Sequence, residues 1–163
     1  MGAGSAQTGR GLTAAIGGLL AFLFSFEAAA CMADAVVFRT SAGDVSFSAE
    51  VADDEATRAQ GLMWREDMAA DHGMLFVYPT ARPVTFWMKN TPLPLDIIFV
   101  NGRGVVCGIA KDTTPFSEDF IPSGCAAQTV FEVNAGEAEA QGVSVGAVMR
   151  HPAVRDPLWS CEE

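Results

Sequence analysis

Short apolar runs broken by turn residues constrain this chain more than any other feature. The runs are Val36 to Arg39, Val45 to Val51, Met74 to Tyr78, Thr85 to Met88, Leu95 to Val100, Gly104 to Ala110 and Gln128 to Val133. Each has strand length and is rich in β-branched or aromatic residues. Turn chemistry separates them, as in Ser41-Ala42-Gly43-Asp44 and in Asn101-Gly102-Arg103-Gly104, the latter a hairpin signal. Two short helices fit in the gaps. One spans 53–60, with Asp53 as N-cap and Gly61 as its left-handed stop; the other spans 135–141, capped by Asn134 and ended by Gly142. Two such pieces cannot cover both faces of a parallel sheet. The expected fold is therefore mainly β, a compact antiparallel barrel or sandwich with two short helices.

The two helical corners resemble each other. Glu50-Val51, Glu55-Ala56 and Ala59-Gln60-Gly61-Leu62 recur as Glu132-Val133, Glu137-Ala138 and Ala140-Gln141-Gly142-Val143, with one residue deleted. Capped short helices converge on such strings, and a pseudo-symmetric pair of corners closing a barrel would produce them too. The segment from Asp112 to Gly124 lacks a period and reads as a long surface loop, the kind of element that grips ligands.

Ahead of the domain, Arg10 is the only charge before an apolar run from Gly11 to Phe26, and Ala28-Ala29-Ala30 follows Glu27. That is the pattern of a secretory signal peptide over residues 1–30. Cleavage after Ala30 leaves Cys31 at the mature N-terminus, where it is also a candidate for lipidation; cleavage after Ala35 removes it. A single domain over 36–151 and a C-terminal tail over 152–163 remain, about 130 residues in all. The expected location is periplasmic or secreted, with membrane contact only if Cys31 is lipidated.

Setting aside Arg10 and Glu27, 19 acidic residues face nine basic ones. Such a chain has no electrostatic footprint for nucleic acid. In an oxidising compartment its cysteines are expected to be bridged. Cys107 and Cys125 flank one loop and form the favoured pair, with Cys31 and Cys161 near the two ends. No Cys-x-x-Cys is present, which argues against a thiol–disulfide enzyme.

Four strings stand out in order: "RAQGLMWREDM" (58–68), "DHGMLFVY" (71–78), "FWMKNTPLPLDIIFV" (86–100) and "VFEVNAG" (130–136). Together they resemble the DUF192 (UPF0127) family of uncharacterised domains over about residues 36–149. The resemblance implies a compact, mostly β domain, often exported, and it implies no reaction. Members commonly carry Gly-Asp where this chain has Gly146-Ala147, so any role of that aspartate is absent here or supplied elsewhere.

Period two sets Phe86 and Met88 on one face of their strand and Trp87 and Lys89 on the other. In the next strand Leu95, Ile97 and Phe99 share a face, with Asp96 opposite. If the Phe and Leu faces are buried, then Trp87, Lys89, Asn90 and Asp96 converge near the turn stiffened by Pro92 and Pro94, with Arg65 nearby. A cation, an amide, a carboxylate and an indole suit a sugar-like or other small polar ligand, or a cation. The competing reading is turn stitching, with Lys89 paired to Asp96 and Asn90 and Thr91 bonded to backbone. Arg65 has the fork geometry to hold a carboxylate, either the protein's own or a ligand's.

The expected function is an exported β domain binding a small polar ligand or an envelope protein, without chemistry or cofactor. A periplasmic hydrolase built on the same polar cluster is the alternative; a serine triad would need His72 or His151, and no Gly-x-Ser-x-Gly elbow is present, although Ser117 and Ser123 lie in the long loop. A Cu(I) carrier built on Met63, Met68, Met74, Met88 and His72 and a structural envelope factor are further alternatives; strand methionines beside Leu and Phe are more often core. No metal site is assigned.

Overall fold

A computed structural model describes residues 1–2 and 31–162; the signal-peptide segment lies outside the described residues. Seven strands are present: β1 (Ala35–Thr40), β2 (Gly43–Ala52), β3 (His72–Phe86), β4 (Leu95–Asn101), β5 (Val106–Ala110), β6 (Ile121–Asn134) and β7 (Val148–Arg150). Helices α1 (Glu55–Gln60) and α2 (Glu137–Ala140) complete the set. One sheet contains all the strands in the order β5-β4-β6-β3-β2-β1-β7. It curls until its edges meet, where Val105, just ahead of β5, bridges Val148 of β7. The mainly β class is as expected, with one departure: β2 and β3 pair in parallel. Parallel neighbours need a crossover, and the segment carrying α1 supplies it.

Both faces of the curled sheet are apolar, because each is covered. The inner face packs Phe38, Phe47 and Phe131 ring against ring, with centroids 5.5–6.3 Å apart. The outer face repeats the device with Phe76, Phe86 and Phe99, at 5.1 and 6.0 Å. Strand β4 shows why: Ile98 and Val100 belong to the inner cluster, while Leu95, Ile97 and Phe99 belong to the outer one. Removing a ring from either cluster would cost about 3–5 kcal/mol.

Several local readings shift. The run 74–78 and the first half of 85–88 become one long strand, β3, because an irregular stretch between Val77 and Arg82 turns it without ending it; Trp87 and Met88 lie just past its end at Phe86. The far end of the expected loop, 121–124, joins β6. Asp54 caps α1 in place of Asp53, its Oδ1 accepting from Thr57 N at 2.9 Å. Asn134 does not cap α2: its amide donates to Met68 O at 2.8 Å, and the cap comes from another strand. The 152–163 segment packs onto the domain. Val154 joins the inner core, and Trp159 is buried between Arg39 and Arg150 at 3.8 and 4.3 Å. Both cysteine pairs form disulfides, Cys107–Cys125 and Cys31–Cys161.

Candidate functional site

The outer cluster is roofed by α1, the 61–68 segment and the chain on either side of β4. Three backbone hydrogen bonds lace that roof together: Trp64 N to Asn90 O at 2.8 Å, Phe116 N to Thr91 O at 3.1 Å and Met88 N to Ser117 O at 2.9 Å. Trp64, Asn90 and Phe116 all take left-handed backbone, with φ of 66°, 54° and 61°. Such a conformation is costly for a bulky side chain. Here it aims the Trp64 and Phe116 rings at solvent, where they are 69% and 60% exposed.

Between roof and sheet lies a cleft of about 380 Å³. Its mouth carries Trp87, Lys89 and the exposed Phe120; its walls include Phe76, Phe86 and Tyr78. At the sheet side stands Glu132 of β6, 5% exposed. The row across the sheet at this level reads Glu50, Met74, Glu132, Ile97, so its immediate cross-strand neighbours are apolar. Gly73 permits the close β3–β6 approach there: a Cβ would come within 2.4 Å of the Glu132 carbonyl oxygen. The Glu132 carboxyl has no hydrogen bond or ion pair among the described residues. Burial alone pushes its pKa up to about 8, so at neutral pH it holds its proton.

The sequence-predicted residues divide into three groups. Trp87 and Lys89 line the cleft, with Lys89 Nζ 5.0 Å from the Trp87 ring centroid and 3.8 Å from a Glu118 oxygen. Asn90 stitches the turn, its carbonyl holding Trp64 and its amide 3.9 Å from the Met63 sulfur. Asp96 is a correction. It was expected on an accessible surface, yet it is 1% exposed and belongs to the inner face, away from the cleft. Its Oδ2 accepts from Gly136 N and Ala138 N, and its Oδ1 from Asp112 N, at 2.9–3.1 Å. It is the missing cap of α2. The alternation argument failed here because both faces of β4 are buried.

Arg65 also stands apart from the cleft. It forks onto Glu50, with Nη2 to Oε2 at 2.9 Å, and His72 Nε2 lies 2.9 Å from Glu50 Oε1. These two partners hold the Glu50 pKa down at about 2 despite partial burial. His72 Nδ1 in turn lies 2.9 Å from Ser48 Oγ, which is 3.1 Å from Asp71 O. Of the methionines weighed for Cu(I), Met74 and Met88 are buried in the outer core and Met68 packs against it, while His72 is engaged by Glu50.

Sequence reasoning missed Glu132. The signal was available, since a lone carboxylate sits between Phe131 and Val133 in a strand otherwise without charge.

The chain matches the profile of DUF192, described as Uncharacterized ACR, over residues 37–151. It belongs to that family. A crystal structure of a proposed transcription regulator from Sinorhizobium meliloti 1021 is 40% identical, covers 74% of this chain and 94% of its own, and superposes with a TM-score of 0.70. A protein of unknown function from Novosphingobium aromaticivorans DSM 12444 is 35% identical over 71% of this chain and 82% of its own, with a TM-score of 0.69. Among curated proteins none matches. For this DUF192 member the relatives fix the β fold and leave the cleft without an assigned ligand.

Proposed function

We propose that this DUF192 protein is an exported binding domain whose outer-face cleft takes a small polar ligand. The observation that carries the reading is Glu132, a buried carboxyl with no partner, facing a cleft open to solvent. A carboxyl this deep is usually hydrogen-bonded within the protein, whereas the Glu132 oxygens are left to the cleft and to whatever fills it. The exposed aromatic rings at the mouth, Trp87 and Phe120, support the same place.

Export is supported by the leader-like sequence and by two disulfides. The Cys31–Cys161 bond favours cleavage after Ala30, since cutting after Ala35 would remove Cys31. It also argues against a lipid on Cys31, because that sulfur cannot hold both a thioether and a disulfide. Residues just beyond the cysteine support this register, with Asp34 O accepting from Ala49 N at 2.8 Å. The regulator description belongs to the Sinorhizobium protein; a formal charge of −10 argues against binding a phosphate backbone.

The test is a thermal-shift screen of the oxidised mature domain against sugars, amino acids, amines and nucleotides. A ligand at 100 times its Kd should add about 2.7 kcal/mol, and Glu132→Ala should erase that gain. No stabilisation by any class would defeat the reading. One observation favours a second function, hydrolysis. Ser48, His72 and Glu50 stand in the order of a serine hydrolase's groups, with the Ser48 hydroxyl now donating to Asp71 O and free to turn to His72 Nδ1. Release of nitrophenol from short acyl esters, abolished by Ser48→Ala but not by Glu132→Ala, would establish it.

A further inference from the structure

We propose that the ligand of this cleft is a small organic cation whose charged nitrogen sits against Glu132. The inference rests on the binding reading and names the class of its ligand. Its ground is the arrangement of charge and aromatic surface around one buried oxygen pair.

Two cations, Arg58 and Lys89, line the cleft itself, and each is held by groups other than Glu132. Arg58 of α1 donates to Val77 O at 2.9 Å and also to Asp53 O, and its guanidinium lies 5.3 Å from the Tyr78 ring. Arg82 of β3 faces the same ring at 5.2 Å. Lys89 leans on Trp87 and Glu118. None forms an ion pair with Glu132 among the described residues. On its own sheet face the carboxyl meets Met74 and Ile97 across the strands. Its titratable neighbour is Tyr78, whose phenol feels the Glu132 charge, with Arg58 and Lys89 lining the same cleft and Arg82 beyond Tyr78.

The surrounding walls suit a ligand with an apolar body better than a wholly polar one. Phe76, Phe86, Tyr78 and Trp87 all line the cleft; Tyr78 and Trp87 already sit beside the protein's own cations, which leaves Phe76 and Phe86 as ring surface for a bound one. A neutral polyol would satisfy the carboxyl yet leave the remaining apolar wall facing its hydroxyls. The volume lies at the low end for small-molecule sites, so the ligand is a compact cation with an apolar body.

Binding then has a proton balance that can be measured. Empty, the carboxyl is protonated at neutral pH; with a cation beside it, it ionises and its proton leaves to solvent. Affinity for a cation must therefore rise with pH until the empty carboxyl is itself ionised.

The experiment is calorimetric titration of the oxidised mature domain with three probes. They are benzylguanidinium, whose charge is fixed throughout the range, its neutral isostere benzylurea, and phenylacetate. The expected result is binding of benzylguanidinium alone. It should tighten by roughly 100-fold from about pH 6 to about pH 9, with about one proton released per ligand near pH 6. Glu132→Gln should remove both the pH dependence and the proton release. Trp87→Ala, at an exposed position, should weaken the cation about tenfold and leave the proton release intact. If Glu132→Gln fails to fold, the proton count and the Trp87→Ala arm on otherwise unchanged protein still decide the matter. Equal binding of benzylurea, pH-independent binding, preference for phenylacetate or binding of none of the three overturns the cationic assignment. The broader screen tests the cleft separately: a sugar that stabilises through Glu132 would keep the binding reading and discard this one.

Discussion

Glu50 and Glu132 occupy the same outer row of the sheet, with Met74 between them, and each opens a similar Glu-Val strand–helix corner. Their carboxyls are driven in opposite directions. Glu50 has Arg65 and His72 and holds its charge down to about pH 2. Glu132, one strand further on, has no partner and keeps its proton to about pH 8. The backbone setting is alike, so the difference comes from what the roof delivers. Over Glu50 the roof brings a guanidinium fork; over Glu132 it leaves a cleft. A carboxylate in a strand is thus made structural or available by the segment folded above it.

The largest effect should come from changing the unpaired member. Folded Glu132 titrates near 8 and the unfolded chain near 4.5, so unfolding releases a proton between those values. Stability should fall as pH rises through that window and level off above it. The loss should be on the order of 4 kcal/mol, and Glu132→Gln should abolish the slope. Denaturant melts at a series of pH values check this, and a slope retained in the variant would assign it to another group.

A sharper form of the comparison uses Asp96, which is as buried as Glu132 but satisfied by three backbone N–H groups. Asp96→Ala orphans those donors and uncaps α2, so it should cost about 3 kcal/mol, whereas Glu132→Ala should not destabilise the domain at pH 8. Equal losses in the two variants would mean that Glu132 has structural partners after all.

The smallest effect belongs to the paired member. Glu50 has a lowered pKa, so its contribution is present above about 4.5 and disappears as pH falls towards 2. Its side chain is 43% exposed, so solvent screening limits the contribution to about 1 kcal/mol. Arg65→Met should lose that amount at pH 7 and almost none near pH 2. A loss that persists in acid would point to packing by the arginine stem.

Much of the fold was legible because turn residues and β-branched runs act locally: Gly61 stops α1, and Asn101 folds the hairpin before β5 through bonds to Arg103 N and Val105 N. The site was half legible. Trp87 and Lys89 followed from alternation, since Phe86 and Met88 are buried beside them. Asp96 and Glu132 were not placed, because a strand covered on both faces gives alternation no solvent side to point to. Which of two buried carboxylates finds hydrogen-bond donors depends on chain more than ten residues distant. Asp96 meets Ala138 from 42 positions away, a pairing no local pattern encodes.

The Cys31–Cys161 bond joins positions 130 residues apart and encloses the whole domain in one covalent ring. A ring tolerates a cut. A protease that nicks the chain once at an exposed turn, for example between Ser41 and Asp44, leaves every strand tethered to its neighbours. In a compartment rich in proteases, such damage converts the domain into a circularly permuted version of itself instead of two separating pieces.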